Sequence, residues 1–293
     1  MKKIAFICNW PQSPEQLLDR YLKQTPGNIG KWNDLIGVSN LKEADFFIIQ
    51  DGIPHQLVNQ VDLTRAIFIK REPPHINPHP VNVDMGKVLK AFNWPAYVND
   101  FLPAAWWIER PYDELLSLRY PTKDKKASCI VTNKYRQRTR FITSYASKYP
   151  GCLDVFGKWN FGYENEFRNS NSYKGELNYN GNCKFDGLYP YEYTLAFENG
   201  SIKNYWTEKI VDAFLSWTVP IYWGCTNIND YFPAAALHTV DISSPAGITN
   251  VHELIQNAPS HEMIQAVEYS REKILKTYNL WAVIERLLEN EHG

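Results

Sequence analysis

The sequence predicts an α/β protein made of two Rossmann-like halves in series. Apolar β-prone runs alternate with helical stretches along the whole chain. A proline followed by charges, Pro121-Thr122-Lys123-Asp124-Lys125-Lys126, interrupts that alternation once, and a strand, helix and strand of βαβ length then stand between Tyr191 and Gly224.

In the first half, strands are expected at Ile4–Cys8, Ala44–Ile49 and Ala66–Ile69, with a helix over Glu15–Leu22 and a short one over Asp113–Leu118. The segment Lys70-Arg71-Glu72-Pro73-Pro74 leaves the third strand as a loop. The linker places the domain boundary so that residues 1–122 form one domain and 123–293 the second, with the C-terminal helices in the latter. The second half restarts with a strand over Ala127–Thr132, a helix over Arg138–Tyr149 and a strand over Leu153–Phe156. From Lys158 to Gly187 the chain is rich in Asn, Gly and Tyr without periodicity, and reads as a long irregular surface loop with some lid character.

The central unit is the most explicit part of the chain. Tyr193–Phe197 is a strand that stops at the turn dipeptide Asn199-Gly200, and Thr207 offers an N-cap oxygen. Ile210, Phe214 and Trp217 then share a stripe, with Val211 and Leu215 beside it, until Pro220 stops the pattern and Val219–Trp223 follows as a buried strand. Further elements are a strand over Leu237–Ile242 and helices over Val251–Asn257, Glu262–Tyr278 and Leu280–Glu289.

In a βαβ unit the ligand site lies beyond the carboxyl end of the strand, at the helix N-terminus. That corner carries Asn199, Tyr205, Thr207, Glu208 and Lys209. First-turn amides, the helix dipole and a lysine suit a phosphate, and Glu208 and Asn199 suit sugar hydroxyls. The same residues also read as a capped, solvated first turn.

Composition narrows the function. The 293 residues include 44% hydrophobic and 22% charged side chains, as in an ordinary globular protein, and the net charge of -1 leaves no basic excess for a nucleic-acid partner. The N-terminal apolar run is too short for a signal peptide and no stretch is long enough for a transmembrane segment, so the expected compartment is the cytoplasm, at most peripheral to the inner face of a membrane. Five widely spaced cysteines without Cys-x-x-Cys indicate free thiols, and His75 and His79 lie among prolines that exclude a helical zinc site. Trp94, Trp106 and Trp107 are candidates for stacking on sugar rings or for the core.

Phe197-Glu198-Asn199, then Tyr205, Thr207-Glu208-Lys209 and Val219-Pro220-Ile221, resemble the signature of the GDP-fucose-dependent α-1,3/4-fucosyltransferases, glycosyltransferase family 10. Upstream, Val131-Thr132-Asn133, Arg140 and Asp154-Val155-Phe156-Gly157 are similar to the family's preceding block. The resemblance covers roughly residues 127–240, departing at Glu192, where a basic residue is usual, and at Gly200, where Ser is usual. It implies the GT-B fold, two facing Rossmann-like domains with a cleft between them, the first binding acceptor and the second GDP-fucose. It implies an inverting transfer of fucose to a hydroxyl of an oligosaccharide, polysaccharide or lipid-linked glycan.

The chain contains no Asp-x-Asp, so the expectation is a reaction with no required metal, a divalent ion being at most stimulatory. Diphosphate charge would then fall to Arg140 and Lys209, Arg140 being chosen among three arginines by the resemblance. Glu72 matches the place of the family's acidic residue and is the expected general base, the alternative being a loop carboxylate paired with Lys70 or Arg71. Asp51 and Glu43 are next in line. Another GDP-sugar as donor, or a non-catalytic nucleotide-sugar or carbohydrate-binding protein, are the competing readings.

Overall fold

The structure is a computed structural model that describes residues 1–71, 82–92, 103–160, 162, 164–177 and 183–289. Glu72, His75, His79 and Trp94 lie outside the described residues. The chain divides into two compact units, Met1–Ala105 with Pro111–Ser117 and Leu275–Gly293, and Trp106–Arg110 with Leu118–Ile274.

The first unit contains β1 (Lys2–Cys8), α1 (Pro14–Leu22), β2 (Lys31–Trp32), β3 (Leu35–Gly37), β4 (Phe46–Gln50), β5 (Ala66–Ile69), β6 (Lys90–Phe92) and α2 (Tyr112–Ser117). Its sheet runs β2-β3-β1-β4-β5-β6, parallel except for the β2–β3 pair. β1, β4 and β5 are near-continuous apolar runs because both faces of a parallel sheet are covered. The chain passes from β1 to β3 on one side and then to β4 on the other, so the order reverses between β1 and β4.

The second unit contains β7 (Lys125–Ile130), α3 (Arg136–Lys148), β8 (Asp154–Phe156), β9 (Tyr173–Gly175), β10 (Tyr191–Phe197), α4 (Glu208–Leu215), β11 (Val219–Trp223), β12 (His238–Thr239) and α5 (Gly247–Gln256). The α6 helix (His261–Lys276) ends where the chain returns to the first unit, and α7 (Leu280–Glu289) closes it. The second sheet is wholly parallel in the order β12-β11-β10-β7-β8-β9, the doubly wound Rossmann arrangement, with its switch point between β7 and β10.

Several expectations are corrected. The boundary is not a single cut at residue 122. The last helix belongs to the first unit, where Trp281 donates its indole N–H to the Tyr21 carbonyl at 2.8 Å and meets Phe6 edge-on. Gly37 makes room for it, since a Cβ there would lie 2.9 Å from the Trp281 ring. The stretch after Lys158 is not a bare loop: it holds β9, and Trp159, fully buried, packs on Phe167. The central helix stops before Pro220. Trp217 adopts φ +57°, the Trp217 amide donates to Phe214 and that of Thr218 to Ala213, a Schellman ending. Two cations finish that end, Arg271 donating to the Leu215 carbonyl and Lys123 to that of Ser216 at 3.1 Å.

Among the described residues no helix is long and apolar enough to cross a membrane. All five cysteines are free.

Candidate active site

At the switch point of the second sheet, β10 ends at Phe197 and delivers Glu198 and Asn199 beyond its carboxyl end, and Thr207 is the N-cap of α4. Glu198 is fully buried yet charged groups surround it. Its two oxygens accept from the Thr207 amide at 2.8 Å and the Thr207 hydroxyl at 2.7 Å. Lys209 Nζ lies 3.4 Å from Glu198 and 3.1 Å from Glu208. Tyr222 adds its hydroxyl to Glu198 at 3.4 Å. Gly224 has to lack a side chain here, because a Cβ would come within 2.3 Å of Glu198 Cγ.

The network explains why the helix starts where it does. Thr207 caps α4 by accepting from the Lys209 amide, as expected, while Glu198 holds Thr207 itself in the extended N-cap conformation. Burial raises the Glu198 pKa, Lys209 opposes that shift, and Glu208 reinforces it. Burial also acts upward on Glu208, but Lys209 and Lys184 outweigh it and hold this carboxyl far below the usual range. One turn on, buried Asp212 accepts from Lys184 Nζ at 2.6 Å and from the Trp107 amide at 2.9 Å, tying two loops to α4. Burial raises Asp212 to about 6 against the pull of Lys184.

The second cation at this corner is Arg138, not Arg140. Arg138 is buried on α3, donates to the Phe197 carbonyl at 3.2 Å and to Asn199 Oδ1 at 2.8 Å, and its Nε, also buried, meets no acceptor among the described residues. Burial depresses its pKa, a cost the neighbouring Glu198 and other groups partly offset. Arg140 is exposed and lines a separate surface cavity with Arg136 and Phe141. The physical reason is helical: α3 starts at Arg136, and two residues turn the side chain by about 200°. Tyr205, expected to meet the donor, is instead fully buried, with its carbonyl accepting from the Tyr222 hydroxyl.

The structure thus brings together Asn199, Thr207, Glu208 and Lys209, adds Arg138 and Glu198, and sets Arg140 apart. Glu198 stands between the apolar end of β10 and the turn dipeptide Asn199-Gly200, so nothing beside it in the sequence announces a buried carboxylate. In the first unit, buried Asp51 accepts from the Arg71 amide at 2.9 Å and lies 3.5 Å from Lys70 Nζ. Glu43 precedes β4, at the opposite end of the sheet from the carboxyl edge. Trp106 is a core residue, its N–H donated to the Arg110 carbonyl at 3.1 Å.

Comparisons with known proteins meet this corner. An α-(1,3)-fucosyltransferase of Helicobacter pylori is 33% identical over 119 residues, 41% of this chain but 21% of that protein, so the match spans about a fifth of the relative. The crystal structure of an α1,3-fucosyltransferase with GDP covers 99% of this chain and 91% of its own at 18% identity, with a TM-score of 0.53. Sucrose-phosphate synthase from Thermosynechococcus elongatus covers 100% and 98% at 10% identity and 0.52. These likenesses show a GT-B type fold. The model of the C-terminal region of glycosyltransferase family 10 (fucosyltransferase) matches residues 120–278, more than half of the chain and all of the corner just described, and the chain belongs to that family.

Proposed function

We propose that the chain transfers fucose from GDP-fucose, with inversion, to a hydroxyl of a glycan acceptor. The observation that carries this reading is the meeting of Arg138 and Lys209 around Phe197–Asn199, at the sheet's switch point and the N-terminus of α4, inside the region matched by the family. When the glycosidic bond breaks, negative charge grows on the leaving diphosphate. Fixed cations and a helix dipole already aimed there stabilise that charge without reorganising. Glu198 keeps Lys209 and the cap in place, and Glu208, ionised beside Lys209, offers acceptor oxygens to hydroxyls of the donor. Glu72 is assigned as the base that takes the acceptor proton, on the family resemblance and its place after β5.

The reading is metal-independent, cations of the chain doing the work that Asp-x-Asp and a divalent ion do elsewhere. Calorimetry with GDP, UDP and ADP, and donor hydrolysis across a panel of nucleotide sugars with and without EDTA, test it together. GDP should bind tightest, GDP-fucose should be hydrolysed preferentially, and EDTA should leave the rate unchanged. Equal UDP affinity would remove the donor assignment, and preference for another GDP-sugar would favour the related transferase. Loss with EDTA that manganese restores would establish a metal role.

A further inference from the structure

A cavity of about 670 Å³ opens at the carboxyl edge of the first sheet. The turn after β1 forms one wall, the first turn of α1 another, and residues 54–57, shortly after β4, a third. It therefore sits at the β1/β4 switch point, the place where open α/β sheets take ligands. We infer that this crevice is a seat for an uncharged saccharide, with Trp10 as its stacking platform; the inference rests on the transferase reading in so far as that seat serves the acceptor.

Three observations support an uncharged sugar. None of the residues lining the crevice carries a charge, and Arg20, in reach of the Gln12 amide, is not among them. The amides at the start of α1 that attract anions elsewhere are occupied here: Gln16 N–H donates to Ser13 Oγ at 3.3 Å, and Ser13 N–H to Gln16 Oε1 at 3.0 Å. Glu15 in the same turn adds a negative charge. An anionic ligand is thus opposed, whereas a neutral polyol is not.

Trp10 differs from four tryptophans of the core. Trp106, Trp159, Trp217 and Trp281 each donate the indole N–H to a backbone carbonyl. Trp10 is only half-buried, and among the described residues its ring stacks on no other and its N–H meets no acceptor. A buried indole ordinarily finds a partner, and a half-exposed one presents an apolar face with a polar edge, the pairing a sugar's C–H face and hydroxyls require. Asn9 uses its amide N–H on the Asp51 carbonyl at 3.3 Å and keeps its oxygen, while the Gln56 side chain engages no described residue. Donors and acceptors for hydroxyls therefore line the rim of an aromatic floor.

The test is saturation-transfer NMR and calorimetry on the full chain with lactose, cellobiose and chitobiose, and with 3′-sialyllactose as the charged counterpart. At least one neutral disaccharide should bind. Trp10→Ala should weaken it about tenfold and Trp10→Phe, which keeps a ring, far less. Sialyllactose should bind no more tightly than lactose. No neutral binding, equal binding by Trp10→Ala, or a preference for the sialylated sugar would overturn the inference. A GDP titration of the same wild-type sample reads the donor corner by itself, so failure of either assignment is seen separately.

Discussion

At the carboxyl edge of the second sheet the residues beyond the switch point are charged, with Lys209 pairing with Glu198 and Glu208 while buried Arg138 donates to the Phe197 carbonyl and Asn199. The residues lining the crevice at the corresponding edge of the first sheet carry no charge at all. Both edges arise from the same βαβ geometry, so the backbone rule fixes where a ligand goes and the side chains decide which. Charges inside the second unit are costly to bury unless they are paired or hydrogen-bonded, which is why Glu198, Lys209 and Arg138 each hold neighbours in place there. Uncharged polar groups impose no such demand, and the first corner can stay open.

The sharpest way to break this division of labour is Glu72→Gln. Transfer should fall by ~10²- to 10⁴-fold, the range for a lost general base, while GDP affinity stays as in wild type, because every donor-corner residue named above belongs to the second unit. Steady-state rates beside GDP calorimetry check it. A variant with near-normal transfer leaves Glu72 as a loop carboxylate, and the base would next be sought at Asp51, held by Lys70 and the Arg71 amide just after β4.

Next in size is Lys184→Met, which strands the buried Asp212 carboxylate. Breaking a buried pair costs about 3–5 kcal/mol, less the part that the partial exposure of Lys184 screens. The loss should depend on pH. Asp212 is already raised to about 6 with Lys184 present, and without it the carboxyl rises further. The folded state then binds more protons than the unfolded state above the ordinary Asp range, so stability falls as pH rises. Urea unfolding should show a smaller penalty at pH 5 than at pH 8, and equal penalties would mean that the pair contributes nothing through its charge.

Lys209→Ala should weaken GDP roughly 10- to 100-fold, the worth of a charged hydrogen bond, with Lys209→Arg losing less. Unchanged affinity in the alanine variant would return Lys209 to the role of neutralising Glu198 alone.

Much of this contrast is legible in the sequence, and the exceptions have physical causes. β5, β11 and α7 match their expected bounds, because long apolar runs and stripes carry their own period. β2, β3, β6 and β9 are two or three residues long, shorter than any period that could announce them. The apolar stripe of α7 was readable, but not that it packs against the first unit, since a stripe does not name its partner. The roles of Glu198 and Arg138 are not legible locally, because both are pinned by contacts distant in sequence, 9 residues away in one case and 59 to 61 in the other.

The smallest effect expected is the one that separates the two arginines. Arg140→Gln should change GDP affinity by less than about threefold, since an exposed charge outside the paired network is worth under ~1 kcal/mol. Arg138→Gln should cost far more, because it strips donors from the Phe197 carbonyl and Asn199 and leaves Glu198 with less compensation. Phe141 stands between the two sites: it lines the cavity of Arg140 on one side and meets Phe197, at the end of β10, edge-on at 5.4 Å. If calorimetry instead finds a tenfold loss in Arg140→Gln, the anion corner reaches past Phe141 to the outer face of α3, and the charged edge of the second sheet is wider than its buried network.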